Sequence, residues 1–194
     1  TDANGCYFDK PYTINAVTPI TIVANKDSDV LCKGGATGRA TFTISGHATV
    51  GAYTHTLTAG TGTLVKAGDV LTLSNVVAGT YTVEVRDNAT GCINTATVVI
   101  DEPANPLTFT TTETKINCNN DLAEMTITAA GGTPNYTYAV VVAGATAPTT
   151  FASGNVVSVD TNSGANLIWD VYTKDANGCI TTNQVTIQVN DLPT

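Results

Sequence analysis

One phrase is written three times along this chain, and its spacing constrains the fold more than any local pattern does. Asp2-Ala3-Asn4-Gly5-Cys6, Asp87-Asn88-Ala89-Thr90-Gly91-Cys92 and Asp175-Ala176-Asn177-Gly178-Cys179 set their cysteines 86 and 87 residues apart. Cys32 and Cys118 are also separated by 86 residues. Two unrelated landmarks in one register indicate tandem copies of one module. The register divides the 194 residues into the terminal strand of a truncated preceding repeat (1–20), one whole repeat (21–103) and a second repeat (104–194).

Within each repeat the pattern is that of strands and turns. Ala40–Ser45, Leu71–Leu73, Tyr81–Val85 and Ala96–Ile100 alternate apolar and polar residues, and so do Glu124–Thr128, Tyr136–Val140, Val156–Val159 and Gln184–Val189. Period-two alternation broken by Gly, Asn and Asp predicts an all-β fold. Each repeat has room for about seven strands, the number in an immunoglobulin-like Greek-key sandwich. Ala78-Gly79-Thr80-Tyr81 has the spacing of a corner whose Tyr hydroxyl bonds back to upstream backbone. Trp169 takes the same place in the second repeat, counted from the following Asp. Asp101-Glu102-Pro103-Ala104-Asn105-Pro106 forms the boundary, and its two prolines make a short, semi-rigid link.

Composition narrows the function classes. Hydrophobic residues are 42 % and charged residues only 12 %, so a packed core is expected rather than disorder driven by charge. Net charge is −8 and the pI is about 4.4, which excludes a phosphate backbone as partner. No stretch approaches the roughly 20 apolar residues of a membrane span. An export signal, if the chain has one, lies outside this segment.

Several motifs resemble a known family. Cys32-Lys33-Gly34-Gly35-Ala36-Thr37-Gly38-Arg39-Ala40-Thr41-Phe42, Gly131-Gly132-Thr133-Pro134-Asn135-Tyr136-Thr137-Tyr138, Ala78–Val85 and the Asp-Ala-Asn-Gly-Cys turns are similar to SprB-type repeats. Those repeats occur in very large surface adhesins of gliding Bacteroidetes. The chain departs from the pattern at Gly46–Tyr53, and at Asn119-Asn120-Asp121, which replaces the glycine-rich corner. The resemblance implies export, surface display, further repeats in the full protein, and a role in adhesion and surface motility.

Five cysteines and one Met suit an oxidising, extracellular compartment. Spacing suggests Cys32–Cys92 and Cys118–Cys179 as structural disulfides within repeats, leaving Cys6 unpaired by truncation. Sandwich topology opposes that pairing, because the corner before the second strand and the turn before the last lie at opposite ends. The same topology allows an inter-repeat bridge, Cys32–Cys179. Free thiols are the third possibility, and the sequence leaves all three open.

Catalytic chemistry is thin. His47 and His55 fit no metal or triad spacing and read as surface or loop histidines. There is no C-x-x-C, nucleophile elbow, Walker loop or dinucleotide fingerprint, so no catalytic residue, cofactor or metal is expected. Calcium is the one ion the acids raise. Asp27, Asp29, Asp87, Asp101 and Glu102 are weak candidates near repeat ends, without EF-hand spacing.

Three function classes follow. The chain reads first as a structural stalk repeat of a cell-surface adhesin, with neighbouring repeats of the same polypeptide as its partners. In the second reading the repeats bind a surface polysaccharide directly; aromatic residues are only 6 %, with Tyr7, Phe8, Tyr12 and Phe151 free to be exposed. The third is a non-catalytic accessory segment of a secreted enzyme. A terminal strand at 1–20 without its sandwich could also pair with a neighbouring molecule by strand addition.

Overall fold

Alternating side chains bury one face of each strand, and the buried positions fall where the apolar residues are. In β2 (Gly38–Ser45) Ala40, Phe42 and Ile44 point inward, and in β6 (Gly79–Asp87) Tyr81, Val83 and Val85 do so. β9 (Leu122–Ala130) buries Ala123, Met125 and Ile127, while β12 (Ile168–Lys174) buries Trp169 and Val171. The computed structural model describes residues 3–5, 9–13, 16, 18–47, 49–50, 52–116, 120–162 and 164–189. Every regular element among them is a strand.

The first repeat contains β1 (Thr21–Ser28), β2, β3 (Tyr53–Ala59), β4 (Leu64–Ala67), β5 (Val70–Val76), β6 and β7 (Ile93–Ile100). One sheet has the order β1-β2-β5-β4 and the other β3-β6-β7, with every pairing antiparallel. This is the four-plus-three order of an immunoglobulin constant-type sandwich. The second repeat contains β8 (Thr108–Glu113), β9, β10 (Thr137–Val142), β11 (Val156–Asp160), β12 and β13 (Ile180–Thr186), in sheets β11-β9-β8 and β10-β12-β13. It keeps the same order but lacks a counterpart of β4 among the described residues. Between β10 and β11 the chain instead touches its own sheet at one bridge, Tyr138 to Ala152. The expectation of about seven strands therefore holds for the first repeat and overcounts the second by one. Pro148, which cannot donate to a ladder, lies in the segment without a strand.

Each repeat closes its own core, one from Ile20 to Ile100 and one from Ile116 to Ile187. The closure uses the same contacts twice. Val30 N–H donates to Asp101 O at 2.9 Å, and Ile116 N–H donates to Gln188 O at 3.1 Å, so in each repeat the chain just past the first strand bonds to the chain just past the last. Tyr81 Oη donates to Val77 O at 2.8 Å, the expected corner. Trp169 uses its single donor in the same way, from Nε1 to Asn166 O at 3.1 Å. The described residues of 1–20 differ from expectation: 3–5 turn, 9–13 form no regular element, and Ile20 joins the first core. A lone strand is not stable without a partner edge.

A glycine holds the entrance of each sandwich. Gly46 follows β2 with φ 81°, and Gly131 follows β9 with φ 73°. A Cβ on Gly46 would overlap the carbonyl oxygen of Pro19, and one on Gly131 the carbonyl oxygen of Pro106. Both positions combine a left-handed backbone with contact against main chain, which cannot move aside as a side chain can. Gly46→Ala and Gly131→Ala are each expected to destabilise their own repeat by about 2 kcal/mol or more. Urea unfolding of each variant checks this, and a midpoint unchanged from the parent would contradict it.

Candidate functional site: the joint between the repeats

Strand direction decides which loops meet at the joint. β7 starts at the turn carrying Cys92 and ends beside the corner carrying Cys32, where Asp101 O accepts the Val30 N–H. Its eight residues span about 26 Å. The Cα atoms of a disulfide lie within about 7 Å of each other, so these two cysteines cannot bond within one repeat. The corner at 30–35 and residues 101–102 form the exit end of the first repeat. The second repeat presents its entry end to them: Pro106, Leu107, the 131–133 segment and the turn at 175–179.

A disulfide joins Cys32 to Cys179 across 147 residues, with Cα atoms 5.7 Å apart. The preferred pairing within repeats is thus overturned, for the geometric reason above, and the inter-repeat pairing is the one formed. Cys92 is a free thiol and half-buried. Cys6 and Cys118 lie outside the described residues.

Hydrogen bonds surround the bridge. Asn177 Nδ2 donates to Leu31 O at 3.0 Å and to Thr133 Oγ1 at 2.9 Å. The turn that aims Asn177 is held by Asp175, which is buried: its Oδ1 accepts the Asn177 and Cys179 N–H groups at 3.0 and 2.8 Å, and its Oδ2 accepts the Thr133 N–H at 2.9 Å. On the exit side, Lys33 Nζ pairs with Glu102 Oε1 at 2.6 Å, and the Gly34 N–H donates to Glu102 Oε2 at 2.6 Å. A cleft of about 190 Å³ lies at the joint, bordered by Cys32, Lys33, Pro106, Leu107 and Asp175.

The acids singled out for calcium are held in other ways. Asp27 pairs with Arg39 at 3.2 Å and accepts Thr41 Oγ1–H at 3.0 Å. Lys26 reaches both Asp29 and Asp101 at 2.9 Å. Those two contacts, Asp101 first, raise the Lys26 pKa, while the Asp101 N–H and then Lys26 lower that of Asp29. Asp87 is buried in its own turn at the other end of β7, where the Thr90 hydroxyl and then the Ala89 N–H lower its pKa. The five acids are not brought together, and among the described residues no group of three or more His, Cys, Asp or Glu side chains is placed to hold a metal.

Other sequence-based expectations divide. His47 lies in the loop between β2 and β3, but its side chain is only 4 % exposed, with Nε2 3.1 Å from Asp69 Oδ1 and Nδ1 2.8 Å from Thr49 O. Its ring packs against Tyr53, an aromatic neighbour that spacing alone does not reveal. His55 is half-buried, and burial followed by the charge of Lys66 lowers its pKa. Tyr12 is 87 % exposed and is the only exposed aromatic among the described residues; Tyr7 and Phe8 lie outside them. Phe151 is half-buried, with Lys174 Nζ 5.5 Å from its ring centroid. Asn177 and the Lys33–Glu102 pair were missed as joint residues. The repeated turn did mark Asn177, but nothing in a linear sequence tells that its amide crosses to another repeat.

No protein-family model matches this chain, and no curated protein matches it. Among solved structures it is similar to the IG1+IG2 domain pair of DIP-gamma, at 9 % identity over 91 % of this chain and 100 % of that one, with a TM-score of 0.42. It is also similar to the N-terminal eight Ig domains of Down Syndrome Cell Adhesion Molecule, at 16 % identity over 90 % of this chain and 25 % of that one, TM-score 0.40. A third likeness is to the mouse nectin-like molecule 4 ectodomain, at 12 % identity over 91 % and 67 %, TM-score 0.33. The strand order given above carries the assignment to the immunoglobulin-like class.

Lys33 and then the Gly34 N–H hold the Glu102 pKa below its ordinary 4.5. A lowered carboxylate pKa contributes stability that is full above pH 4.5 and is lost as pH falls through the folded-state value. The Gly34 amide proton resonance should therefore titrate with a midpoint below 4.5, and Glu102→Gln should abolish that titration. A midpoint at or above 4.5 in the parent protein would show that the contact does not form.

Proposed function

We propose that this chain is a stalk segment of an exported cell-surface adhesin, in which immunoglobulin-like repeats in series space a distal region from the cell. The Cys32–Cys179 bridge carries this reading, because it commits a covalent bond to the joint between repeats rather than to either core. Such a bond persists in oxidising compartments, which supports an extracellular location. No helix long and apolar enough to cross a membrane occurs among the described residues. The SprB-like motifs extend the proposal to attachment during surface gliding.

A stalk element carries tension, and the bridge determines the path that tension takes. Load entering at the N-terminus passes from Cys32 directly to Cys179, so the intervening chain is shielded. Pulled by its ends under oxidising conditions, the protein should not release that segment. Cys179→Ser should release it, adding about 500 Å of contour for a 147-residue separation at roughly 3.5 Å per residue. Equal extension of the two proteins in an optical trap would show that the bridge does not bear load.

Surface display is tested separately. Antibody raised against the chain should decorate intact source cells in immunogold micrographs, with gold standing off the envelope. Gold confined to the cell interior would overturn the adhesin reading.

A further inference from the structure

The joint has a polarity, and the first repeat carries at its own entry end a turn like the one the second repeat uses in the joint. In the second repeat the turn bearing Cys179 lies at the entry end, near Pro106 and the 131–133 segment. The first repeat has the same arrangement. Asn88 N–H donates to Ala52 O at 3.2 Å, as Ala176 N–H donates to Thr133 O at 3.2 Å. Asn94 Nδ2 donates to Ile20 O at 3.0 Å, which ties the start of β7 to the point where the chain enters. Asp87 N–H donates to Cys92 O at 2.9 Å, and Asp175 N–H to Cys179 O at 3.0 Å. Cys92 thus occupies in the first repeat the place that Cys179 occupies in the second. The two differ in that Cys179 is bonded to the preceding repeat's corner, while Cys92 is free, follows a turn one residue longer and packs partly against its own core.

A second observation indicates what the free turn receives. The segment ahead of the first repeat carries the same turn phrase, Asp2 to Cys6, 86 residues before Cys92. Its Gly5 has φ 81°, beside 75° for Gly91 and 85° for Gly178. A turn of this kind belongs to the end of a module, so the sequence just before residue 21 bears the trace of another copy.

The geometry points to the Asp87–Cys92 turn as a docking site for the corner loop of a preceding module of this kind, closed by a disulfide from that module's Cys32-type cysteine to Cys92. This inference rests on the reading of the chain as serial repeats, and it makes the inter-repeat bridge a repeating rung. The oxidant is a small disulfide such as glutathione disulfide. The corner thiolate attacks it and expels one glutathione; the Cys92 thiolate then attacks the mixed disulfide and expels the second. The two protein thiols lose two protons and two electrons, and the donor is reduced to two thiols. The occupying loop has less polar support here than in the joint already formed. The Thr90 hydroxyl donates to Asp87, so it does not reach across as Asn177 does.

The test duplicates residues 20–106 in tandem within the full chain, so that Ile20 follows Pro106 in the register of Leu107. Exposed Thr95 is changed to Ser in the second copy as a mass mark. After refolding in a glutathione redox pair, peptide mapping should find Cys32 of the first copy bonded to Cys92 of the second. Cys92 of the first copy, with no corner ahead of it, should remain alkylatable. Cys32 of the second copy should bond to Cys179, which reports that the joint already described has formed. If Cys92 of the second copy stays as reactive as that of the first, or bonds elsewhere, the inference is overturned; failure of the duplicated chain to refold overturns it equally, because a repeatable joint requires tandem copies to be compatible. The readout is the fate of one thiol, so it can fail while the optical-trap result stands, and the reverse.

Discussion

In a sandwich of this strand order, the corner between the first two strands and the turn between the last two cap opposite ends, a full strand length apart. A cysteine at each place cannot find the other inside the module, whatever their separation in sequence. Each must look outward, one toward the following module and one toward the preceding module. The direction of the joint, the identity of its partners and the lack of a disulfide inside either core all follow from that geometry. Each repeat is then folded without a covalent cross-link of its own, around a core of Phe42, Tyr81 and Val83 in one and Met125, Ile127 and Val171 in the other.

The bridge acts differently on the unfolded chain and on the two folded repeats. Against a fully unfolded chain, closing a 147-residue loop is worth about 5 kcal/mol in the chain-entropy account. Between two repeats already folded and tied by the short 101–107 link, the thiols meet at an effective concentration on the order of millimolar. What the bond then restricts is orientation. The remaining contacts are small by comparison: a partly exposed ion pair is worth about 0–1 kcal/mol, and each hydrogen bond about 0.5–1.5 kcal/mol. Inter-domain contacts of that scale ordinarily permit relative motion. The covalent bond is what distinguishes this joint from a flexible one.

The strands were legible in the sequence because alternation is a local signal, and Phe42/Ile44, Tyr81/Val83/Val85 and Met125/Ile127 express it without interruption. The Tyr81 corner was legible for the same reason, since donor and acceptor lie four residues apart. The missing strand of the second repeat was not, because its place is taken by a segment around Pro148 that is defined by what it fails to pair with. The joint was legible only in outline. Lys33 and Glu102 are 69 residues apart, and Asn177 and Leu31 are 146 apart. No periodicity connects such residues; the topology has to be known first. The burial of the His47 side chain depends on Asp69, which follows two further strands, and on the ring of Tyr53, neither of which the spacing of the histidines shows.

The two cysteine turns differ by one residue, and the difference shows which features of the joint tolerate variation. Both are organised by a buried carboxylate, Asp87 or Asp175, that gathers N–H and hydroxyl donors from its own loop. Both place a left-handed glycine just before the cysteine; Cys179 reaches the facing corner, whereas Cys92 packs partly against its own core. The extra residue changes what reaches outward: Asn177 offers a side-chain amide to the facing corner, and Thr90 turns its hydroxyl back to Asp87. Hydrogen bonds across a joint depend on such details, because their geometry fails over a few tenths of an ångström. A cystine at the same anchor point depends only on backbone placement. Repeats that vary in their loops can still be joined in one direction, provided the carboxylate, the glycine and the cysteine keep their order.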